Sequence, residues 1–295
     1  MTEPIIAQRE VTRHILNRFG IRTQKRLGQH FLVDEQVVRG IASALELKPG
    51  MPVLEIGPGI GTLTQFLAMT GAQVTAVELD RRCIEIMGTT LKAYENVRVV
   101  QGDILSLDFM ELMGPDPFYI AGNLPYYITT PIVMKILEDR MPVDQMVFMV
   151  QKEVADRMVS GPGTKDYGAL SVAVQFHTEA TKMFEVPSAA FMPPPAVDSA
   201  VVHFRRRQQP PVEVPSDKLF FRVVRAAFGQ RRKTLANSLQ GNGFAKEDVL
   251  AMLRDTGIDG GRRGETMSME EFAALSRAYG PIQEDEENDK KQRIQ

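Results

Sequence analysis

The segment Asn123-Leu124-Pro125-Tyr126 combines residue types that could activate and hold the exocyclic amine of adenine. The lone pair of that nitrogen is delocalised into the ring, so the amine is a poor nucleophile. The Asn123 side-chain oxygen and the Leu124 carbonyl could accept its two N–H groups and favour a more tetrahedral nitrogen. Pro125 would fix the direction of that carbonyl, and Tyr126 could stack on the base, which contributes roughly 1–3 kcal/mol. The alternative is that Asn123 only caps a turn.

Glycines at positions 57, 59 and 61 lie between a candidate strand and a candidate helix. Glycine has no Cβ, so it adopts positive φ easily and lets a ligand approach the backbone. Free N–H groups at a helix N-terminus also suit a polar or anionic ligand. The spacing differs from the dinucleotide fingerprint G-x-G-x-x-G, since position 62 is Thr, a candidate helix cap. A tight strand–helix turn without a ligand is the alternative interpretation.

Two acids follow the next two candidate strands. Glu78 lies 21 residues after Gly57, a distance at which an acid can accept hydrogen bonds from ribose hydroxyls. Asp103 follows the third strand and could accept from an adenine amine, although capping a turn or helix is its plainer role. With the glycine turn, these acids predict a nucleoside cofactor at the carboxyl ends of a parallel sheet. No Ser–His–Asp arrangement, metal-ligand cluster or carboxylate pair competes for the role of active site.

Short apolar runs alternate with helical patterns along most of the chain, which predicts an α/β fold with a mostly parallel sheet. The candidate strands are 53–56, 73–77, 97–101, 118–121, 145–150, 170–176 and 200–204. Asp34 is placed to cap a helix through Leu45. The prolines at 210 and 211 mark a domain boundary, after which the pattern is helical to about residue 279.

The composition indicates a globular protein of a reducing compartment. The chain has 295 residues, enough for one large domain and a smaller one. Cys83 is the only cysteine, so an intrachain disulfide and a cysteine-cluster zinc site are both excluded. No apolar run reaches the ~18 residues that a membrane span needs, and the N-terminus lacks a signal-peptide pattern. A cytoplasmic protein is therefore expected.

The distribution of charge is more informative than the net charge of −2. An acid-free stretch near the C-terminus carries seven cations: Lys218, Arg222, Arg225, Arg231, Arg232, Lys233 and Lys246. A second acid-free run carries Arg13, Arg18, Arg22, Lys25 and Arg26. Basic runs are often solvated faces, but two of them beside a nucleoside site favour a nucleic-acid partner. The charged tail after Pro281 is expected to be disordered.

Several independent motifs, in the right order, resemble those of the ribosomal RNA adenine dimethylases. They are Gly28-Gln29-His30-Phe31-Leu32, Glu55-Ile56-Gly57-Pro58-Gly59-Ile60-Gly61, Glu78, Gly102-Asp103, Asn123-Leu124-Pro125-Tyr126 and Phe191-Met192-Pro193-Pro194-Pro195-Ala196-Val197-Asp198-Ser199. Phe228-Gly229-Gln230-Arg231-Arg232-Lys233-Thr234-Leu235 resembles the C-terminal signature of the bacterial small-subunit (KsgA) branch. The resemblance runs from about Ile21 to Tyr279.

The resemblance implies a Rossmann-like fold that uses S-adenosylmethionine (SAM), with a seven-stranded, mostly parallel sheet and a smaller helical C-terminal domain. The implied domains are 1–210 for SAM binding and catalysis, with 1–27 as a basic extension, and 211–281 for RNA binding. Residues 282–295 would form the charged tail. The implied reaction is transfer of four methyl groups to the N6 atoms of two adjacent adenines near the 3′ end of small-subunit (16S) rRNA, within a 30S assembly intermediate.

The resemblance also assigns roles to single residues. The cofactor contacts would be His30, Leu32, Gly57, Glu78, Asp103 and Asn123. Asn123 and Leu124 would bind the amine, and Tyr126 and Phe191 would sandwich the flipped adenine. RNA would be bound by Arg222, Arg225, Arg231, Arg232 and Lys233. We expect a monomer without a metal ion or a membrane contact.

Three other functions remain open at this stage. A large-subunit rRNA adenine methylase of the macrolide-resistance type shares the core motifs, although the segment Arg231-Arg232-Lys233 and the proline-rich loop favour the small-subunit branch. A DNA adenine methylase, whose nucleic-acid substrate is DNA instead of rRNA, is a weaker alternative than the large-subunit enzyme. A ribosome-assembly factor that acts mainly by binding belongs to a different functional class. Comparing the growth of a deletion strain with that of a catalytically dead point mutant would distinguish it from an enzyme.

Overall fold

The computed structural model describes residues 3–21, 29–139 and 141–292. The chain divides into two compact units. The first comprises Met1–Asp156 and Thr178–Arg206, and the second comprises Arg157–His177 and Arg207–Gln295. The residues Arg22, Lys25, Arg26 and Gly28, which the sequence places in a basic run and a motif, lie outside the described residues.

The first unit contains a seven-stranded sheet in which β9 is the one antiparallel strand. Its strands are β2 (Pro52–Ile56), β3 (Gln73–Glu78), β4 (Val97–Gln101), β5 (Phe118–Asn123), β6 (Val143–Gln151), β7 (Thr178–Val186) and β9 (Ser199–Arg206), in the order β4-β3-β2-β5-β6-β9-β7. A separate antiparallel pair joins β1 (Phe31–Leu32) to β8 (Phe191–Met192). This architecture confirms the expected Rossmann-like fold.

Two helices precede β2, and further helices connect the parallel strands of this unit, as a parallel sheet requires. They are α1 (Arg9–Arg18), α2 (Glu35–Ser43), α3 (Thr62–Met69), α4 (Arg81–Thr90), α5 (Phe109–Met113) and α6 (Thr129–Glu138), with α7 (Lys152–Val159) spanning the division between the units. The Asp34 side chain caps α2 by accepting from Gln36 N and Val37 N, which confirms that prediction. The chain moves outward in opposite directions on the two sides of β2 and β5, and ligands bind where the strand order reverses in this way.

The second unit is helical. Its helices are α8 (Ala169–His177), α9 (Asp217–Phe228), α10 (Leu235–Gly241), α11 (Lys246–Thr256) and α12 (Met269–Gln292). In its core the ring of Phe176 packs against Phe220 and Phe221, with centroids 4.8 and 5.2 Å apart. Helix α12 continues to Gln292, through most of the segment for which the charge pattern predicts disorder.

The prediction of a strand over residues 170–176 is wrong, because these residues form α8. Almost every side chain of this segment is buried, so the apolar run carries no alternation and suits a buried helix equally well. The strand that completes the sheet is β7, which the sequence pattern did not reveal. Its interior alternates between exposed and half-buried side chains, and only its two terminal residues are buried.

Candidate active site

A cavity of the first unit lies at the carboxyl ends of β2, β3, β4 and β5. Its lining includes most of the residues singled out in the sequence: His30, Leu32, Gly57, Glu78, Asp103, Asn123, Leu124 and Tyr126. These residues are distant in sequence, and the parallel strands bring them together because each strand ends at the same edge of the sheet. The expected cofactor residues therefore share one cavity.

The glycine turn after β2 lets the backbone approach Glu78. Gly57 and Gly59 have φ values of 70° and 58°, in the left-handed region that favours glycine. In this conformation the Gly59 N–H donates to Glu78 Oε2 over 2.9 Å. Gly61, also left-handed at 90°, is the residue before α3. The predicted capping role of Thr62 is therefore wrong, since Thr62 is the first residue of the helix.

Glu78 contributes a buried carboxylate to the cavity lining. Its Oε1 accepts from the Asp80 N–H over 2.8 Å, its Oε2 accepts from Gly59, and the residue is 8% exposed. Burial raises the pKa of Glu78 from its ordinary value, and the two backbone N–H groups oppose that rise. Each oxygen keeps a further lone pair, so the side chain can still accept hydrogen bonds from the hydroxyls of a ligand.

Asp103 lines the same cavity but is exposed. Its Oδ1 accepts from the Leu105 N–H over 3.0 Å, which is the turn-capping role considered from the sequence. Within the described part of the chain, no donor contacts Oδ2. The two proposed roles are therefore compatible, because one oxygen can hold the turn while the other accepts from a ligand.

Asn123 and Leu124 present two acceptors at the end of β5. The Asn123 side-chain Nδ2 donates to the His30 carbonyl over 3.3 Å, which orients the amide. The Leu124 N–H donates to the Met149 carbonyl over 3.1 Å, which fixes the backbone against β6. Among the described residues, neither Asn123 Oδ1 nor the Leu124 carbonyl accepts a hydrogen bond. Two oriented acceptors are thus available on adjacent residues.

The Tyr126 ring lies beside these acceptors and is held at its hydroxyl. The Tyr126 hydroxyl and Ser199 Oγ lie 2.7 Å apart, and burial raises the pKa of this phenol. The His30 ring lies nearly parallel to Tyr126, with centroids 6.1 Å apart and an interplanar angle of 21°. His30 Nδ1 is in turn 2.8 Å from the Pro193 carbonyl. An aromatic surface therefore lies in the same cavity as the two acceptors of Asn123 and Leu124.

Glu55 is a cavity residue that the sequence analysis missed. It lies in β2, is 1% exposed, and its Oε2 has no hydrogen-bond partner among the described residues. The neighbouring hydroxyl Thr62 Oγ1 is buried without a partner as well. Burial raises the pKa of Glu55 to about 8, hydrogen bonding from Thr64 opposes that rise, and the charge of Glu78 adds to it. The available signal was an acid inside an otherwise apolar strand that leads into a glycine turn.

Comparison with known proteins identifies the family. A family model described as ribosomal RNA adenine dimethylase matches residues 20–279. The chain belongs to the ribosomal RNA adenine dimethylase family. As a member of this family it is a SAM-dependent methyltransferase. The cavity at the sheet edge, with its acceptors and its acids, is thereby the candidate active site of a dimethylase.

The chain is also similar to three individual proteins with known names. It is 49% identical to a ribosomal RNA small subunit methyltransferase A of Geobacillus sp. (strain WCH70), over 90% of this chain and 95% of that protein. The crystal structure of a dimethyladenosine transferase from Plasmodium falciparum matches with a TM-score of 0.71 and 26% identity, covering 85% and 98% of the two chains. The 23S rRNA methyltransferase ErmE matches with a TM-score of 0.65 and 31% identity, covering 84% and 98%.

Phe191 does not line the cavity of this dimethylase, although the sequence analysis expected it to sandwich a base with Tyr126. It is 1% exposed and packs into the core of the first unit, and its backbone pairs with Leu32 across β1 and β8. In this structure the ring that faces Tyr126 is that of His30.

The basic segment of the second unit contains two kinds of cation. Arg225, Arg231, Arg232 and Lys233 are exposed, and none forms an ion pair with a described acid. Arg222 differs, because its guanidinium lies over the rings of Phe244 and Tyr279, 4.7 and 5.2 Å from their centroids. Arg231 Nη2 donates to the Lys165 carbonyl over 2.7 Å. We infer that Arg222 mainly holds helices together, whereas Arg225, Arg231, Arg232 and Lys233 are exposed enough to contact a polyanion.

The described residues contain neither a candidate metal site nor a candidate membrane-spanning helix. In residues 3–21, 29–139 and 141–292, no three His, Cys, Asp or Glu side chains are grouped so that they could hold a metal ion. Over the same ranges, no helix combines the length and the apolar character needed to cross a bilayer.

Proposed function

We propose that this dimethylase transfers methyl groups from SAM to the N6 atoms of two adjacent adenines near the 3′ end of small-subunit rRNA. The product is N6,N6-dimethyladenosine in a 30S assembly intermediate. The carrying observation is the pair of unoccupied acceptors, Asn123 Oδ1 and the Leu124 carbonyl, beside the Tyr126 ring. The small-subunit substrate is supported by the higher identity to the small-subunit enzyme than to ErmE.

The hydrogen-bond acceptors of the cavity fit SAM. Glu78 would accept from the ribose hydroxyls, and the free Oδ2 of Asp103 would accept from the adenine amine of the cofactor. The unpartnered Oε2 of Glu55 is an orphaned acceptor that suits a cationic group. His30, Leu32 and Gly57 would complete the contacts. When bound, SAM supplies a methyl group that is activated by a sulfonium leaving group.

The acceptors at the end of β5 would prepare the substrate nitrogen. Hydrogen bonds from the amine to Asn123 Oδ1 and to the Leu124 carbonyl reduce delocalisation of the lone pair into the adenine ring. Because these acceptors are fixed by bonds to the His30 carbonyl and to Met149, they need no reorganisation during the reaction. Tyr126 would stack on the flipped base. No general base is required, since the nitrogen can release its proton to water after transfer.

The exposed cations of the second unit would bind the RNA backbone. Arg225, Arg231, Arg232 and Lys233 would contact phosphates and position the substrate without reading its sequence. We propose that the protein acts as a monomer in the cytoplasm, where the assembling subunit is found.

Methylation of purified subunits tests this function. Small and large subunits that lack the modification are incubated separately with the protein and labelled SAM, and the modified nucleotide is mapped by mass spectrometry of digested rRNA. We expect dimethyladenosine at two adjacent positions of small-subunit rRNA. Label in large-subunit rRNA alone would overturn the proposal, and Asn123→Ala serves as the inactive control.

A further inference from the structure

The proline-rich segment 193–199 contacts two aromatic rings of the cavity, those of His30 and Tyr126. At its start, the Pro193 carbonyl lies 2.8 Å from His30 Nδ1. At its end, Ser199 Oγ lies 2.7 Å from the Tyr126 hydroxyl. The nearly parallel rings of His30 and Tyr126 are therefore attached to the two ends of one short segment. The first attachment uses a backbone carbonyl, whereas the second depends on the identity of one side chain.

Ser199 is a rigid anchor for this second attachment. It is the first residue of β9 and lies in register with Gln151 of β6 on one side and Val186 of β7 on the other. Ser199 is fully buried, with 0% of its surface exposed. Strand pairing on both sides fixes its backbone, and close packing restricts its side chain. Ser199 Oγ is therefore a fixed point within the sheet.

Tyr126, in contrast, lies outside regular structure, between β5 and α6. The loop around it is held by the bond from Leu124 N–H to the Met149 carbonyl and by the bond from Ile128 N–H to the Pro125 carbonyl. These bonds act on the backbone and do not themselves restrict the two side-chain torsions of Tyr126. Among the described residues, the hydroxyl of Ser199 is the polar partner that restricts the ring itself.

We propose that Ser199 is a positioning residue that fixes the Tyr126 ring for the second methyl transfer. This inference rests on the proposed function. A monomethylated amine has one N–H left, so one of the two acceptors at Asn123 and Leu124 is idle, and the base is bulkier. Stacking on Tyr126 then contributes a larger part of the binding free energy of the base. If the Tyr126 ring is mobile, the monomethylated base dissociates before the second transfer. Ser199 thus acts on the completeness of dimethylation.

The experiment compares the products of four proteins: wild type, Ser199→Ala, Tyr126→Phe and the double variant. The ratio of N6-monomethyladenine to N6,N6-dimethyladenine is measured in digested small-subunit rRNA after saturating SAM and RNA. We expect Ser199→Ala to raise that ratio by about threefold to tenfold, the range that one neutral hydrogen bond supplies. Tyr126→Phe removes the same bond from the other side and should raise the ratio equally. The double variant should match Tyr126→Phe, because both changes delete one interaction.

A purely structural role of Ser199 gives a different result. If its loss acted through packing, the effects of Ser199→Ala and Tyr126→Phe would add, and the affinity for SAM would fall as well. Ser276→Ala is the matched control, since Ser276 is a fully buried serine of the second unit whose hydroxyl bonds the Ala273 carbonyl. It should leave the product ratio unchanged. Should Ser199→Ala fail to fold, Tyr126→Phe still tests the bond.

The outcomes separate the two proposals. A wild-type protein that methylates neither adenine of the small subunit contradicts the proposed function. A wild-type protein that forms dimethyladenosine, together with single variants whose product ratio matches wild type, overturns the role of Ser199 alone. Additive effects in the double variant also overturn it.

Discussion

Glu55 and Glu78 line one cavity from the adjacent parallel strands β2 and β3, and the charge of Glu78 helps to raise the pKa of Glu55. Burial is the larger cause, and together they bring the pKa of Glu55 to about 8. Without a ligand, Glu55 is therefore mostly protonated at neutral pH. A cationic ligand would favour the ionised form, so binding and ionisation of Glu55 should be coupled.

The stability of the ligand-free protein should depend on pH through Glu55. Its pKa rises from 4.5 to about 8 on folding, so its folded form binds the proton more tightly than its unfolded form. Stability from this group is fully present below pH 4.5 and is lost as the pH rises through 8, by on the order of 3–5 kcal/mol. Glu55→Gln should remove this loss and be more stable than wild type at pH 8. Urea unfolding at pH 5, 6.5 and 8 measures the difference.

The exposed carboxylate variant Glu95→Gln provides the control for that comparison. Its unfolding free energy should follow the wild-type pH profile. If Glu55→Gln also runs parallel to wild type between pH 5 and 8, Glu55 is not the buried proton-binding group described here.

The affinity for SAM should rise with pH in the wild type and lose most of this dependence in Glu55→Gln. Ionised Glu55 attracts a cationic group, and the ionised fraction of Glu55 increases as the pH approaches 8. Glu55→Gln keeps the shape but not the charge, and losing a charged hydrogen bond of roughly 1.5–3 kcal/mol weakens binding about tenfold or more. Calorimetry at pH 6 and pH 8 measures both effects. Equal affinity of the two proteins at both pH values would exclude an ionic contact.

Glu78→Ala should lower the affinity for SAM by about one to two orders of magnitude, the loss expected when charged hydrogen bonds to hydroxyls disappear. Because Glu78 also accepts from the Gly59 and Asp80 N–H groups, the glycine turn should loosen as well. Glu78→Gln keeps one acceptor oxygen and should lose less. Calorimetry measures all three proteins, and unchanged affinity in Glu78→Ala would remove Glu78 from the cofactor site.

Local chemistry explains which parts of the site could be predicted from the sequence. The Asp34 cap, the glycine turn and Glu78 depend on residues close in sequence and on strand ends, and the structure places them as expected. The position of Phe191 depends on the pairing of β8 with β1, which are about 160 residues apart, so no local pattern revealed its burial.

Burial on all sides explains the wrong strand prediction over residues 170–176 and the omission of Glu55. Helix α8 has apolar residues all round, and a short apolar run fits a buried strand or a buried helix. Glu55 was overlooked because its neighbours made the run seem uniformly apolar, whereas the acid is the informative residue. Arg222 belongs to a basic run in sequence, but its packing over Phe244 and Tyr279 arises only from tertiary structure.

The exposed cations of the second unit should determine the salt dependence of RNA binding. Neutralising Arg231, Arg232 and Lys233 together removes three phosphate contacts and should reduce the slope of log K against log salt by roughly two to three. SAM affinity should stay normal. Filter binding to small subunits at several salt concentrations measures the slope. An unaltered slope would mean that these residues are only a solvated face.

Arg222→Ala is the contrasting variant for this prediction. Because Arg222 lies over two rings and donates to the Gly243 carbonyl, its loss should lower the melting temperature more than it changes the salt slope. If Arg222→Ala instead reduces the slope by about one without loss of stability, Arg222 contacts a phosphate directly.

Asn123→Ala should abolish the chemical step even with saturating RNA. It removes one of two oriented acceptors for the amine, and losing one preorganised partner of this kind lowers a rate by roughly 100-fold or more. Single-turnover methylation, with SAM affinity measured separately, should show little mono- or dimethyladenine. Asn96→Ala is the matched control, because Asn96 bonds the Ala68 and Ala72 carbonyls away from the cavity lining and should affect stability alone. Phe191→Ala should destabilise the fold by about 3–5 kcal/mol through a core cavity. A near wild-type yield of dimethyladenine from Asn123→Ala would refute activation of the amine by this side chain.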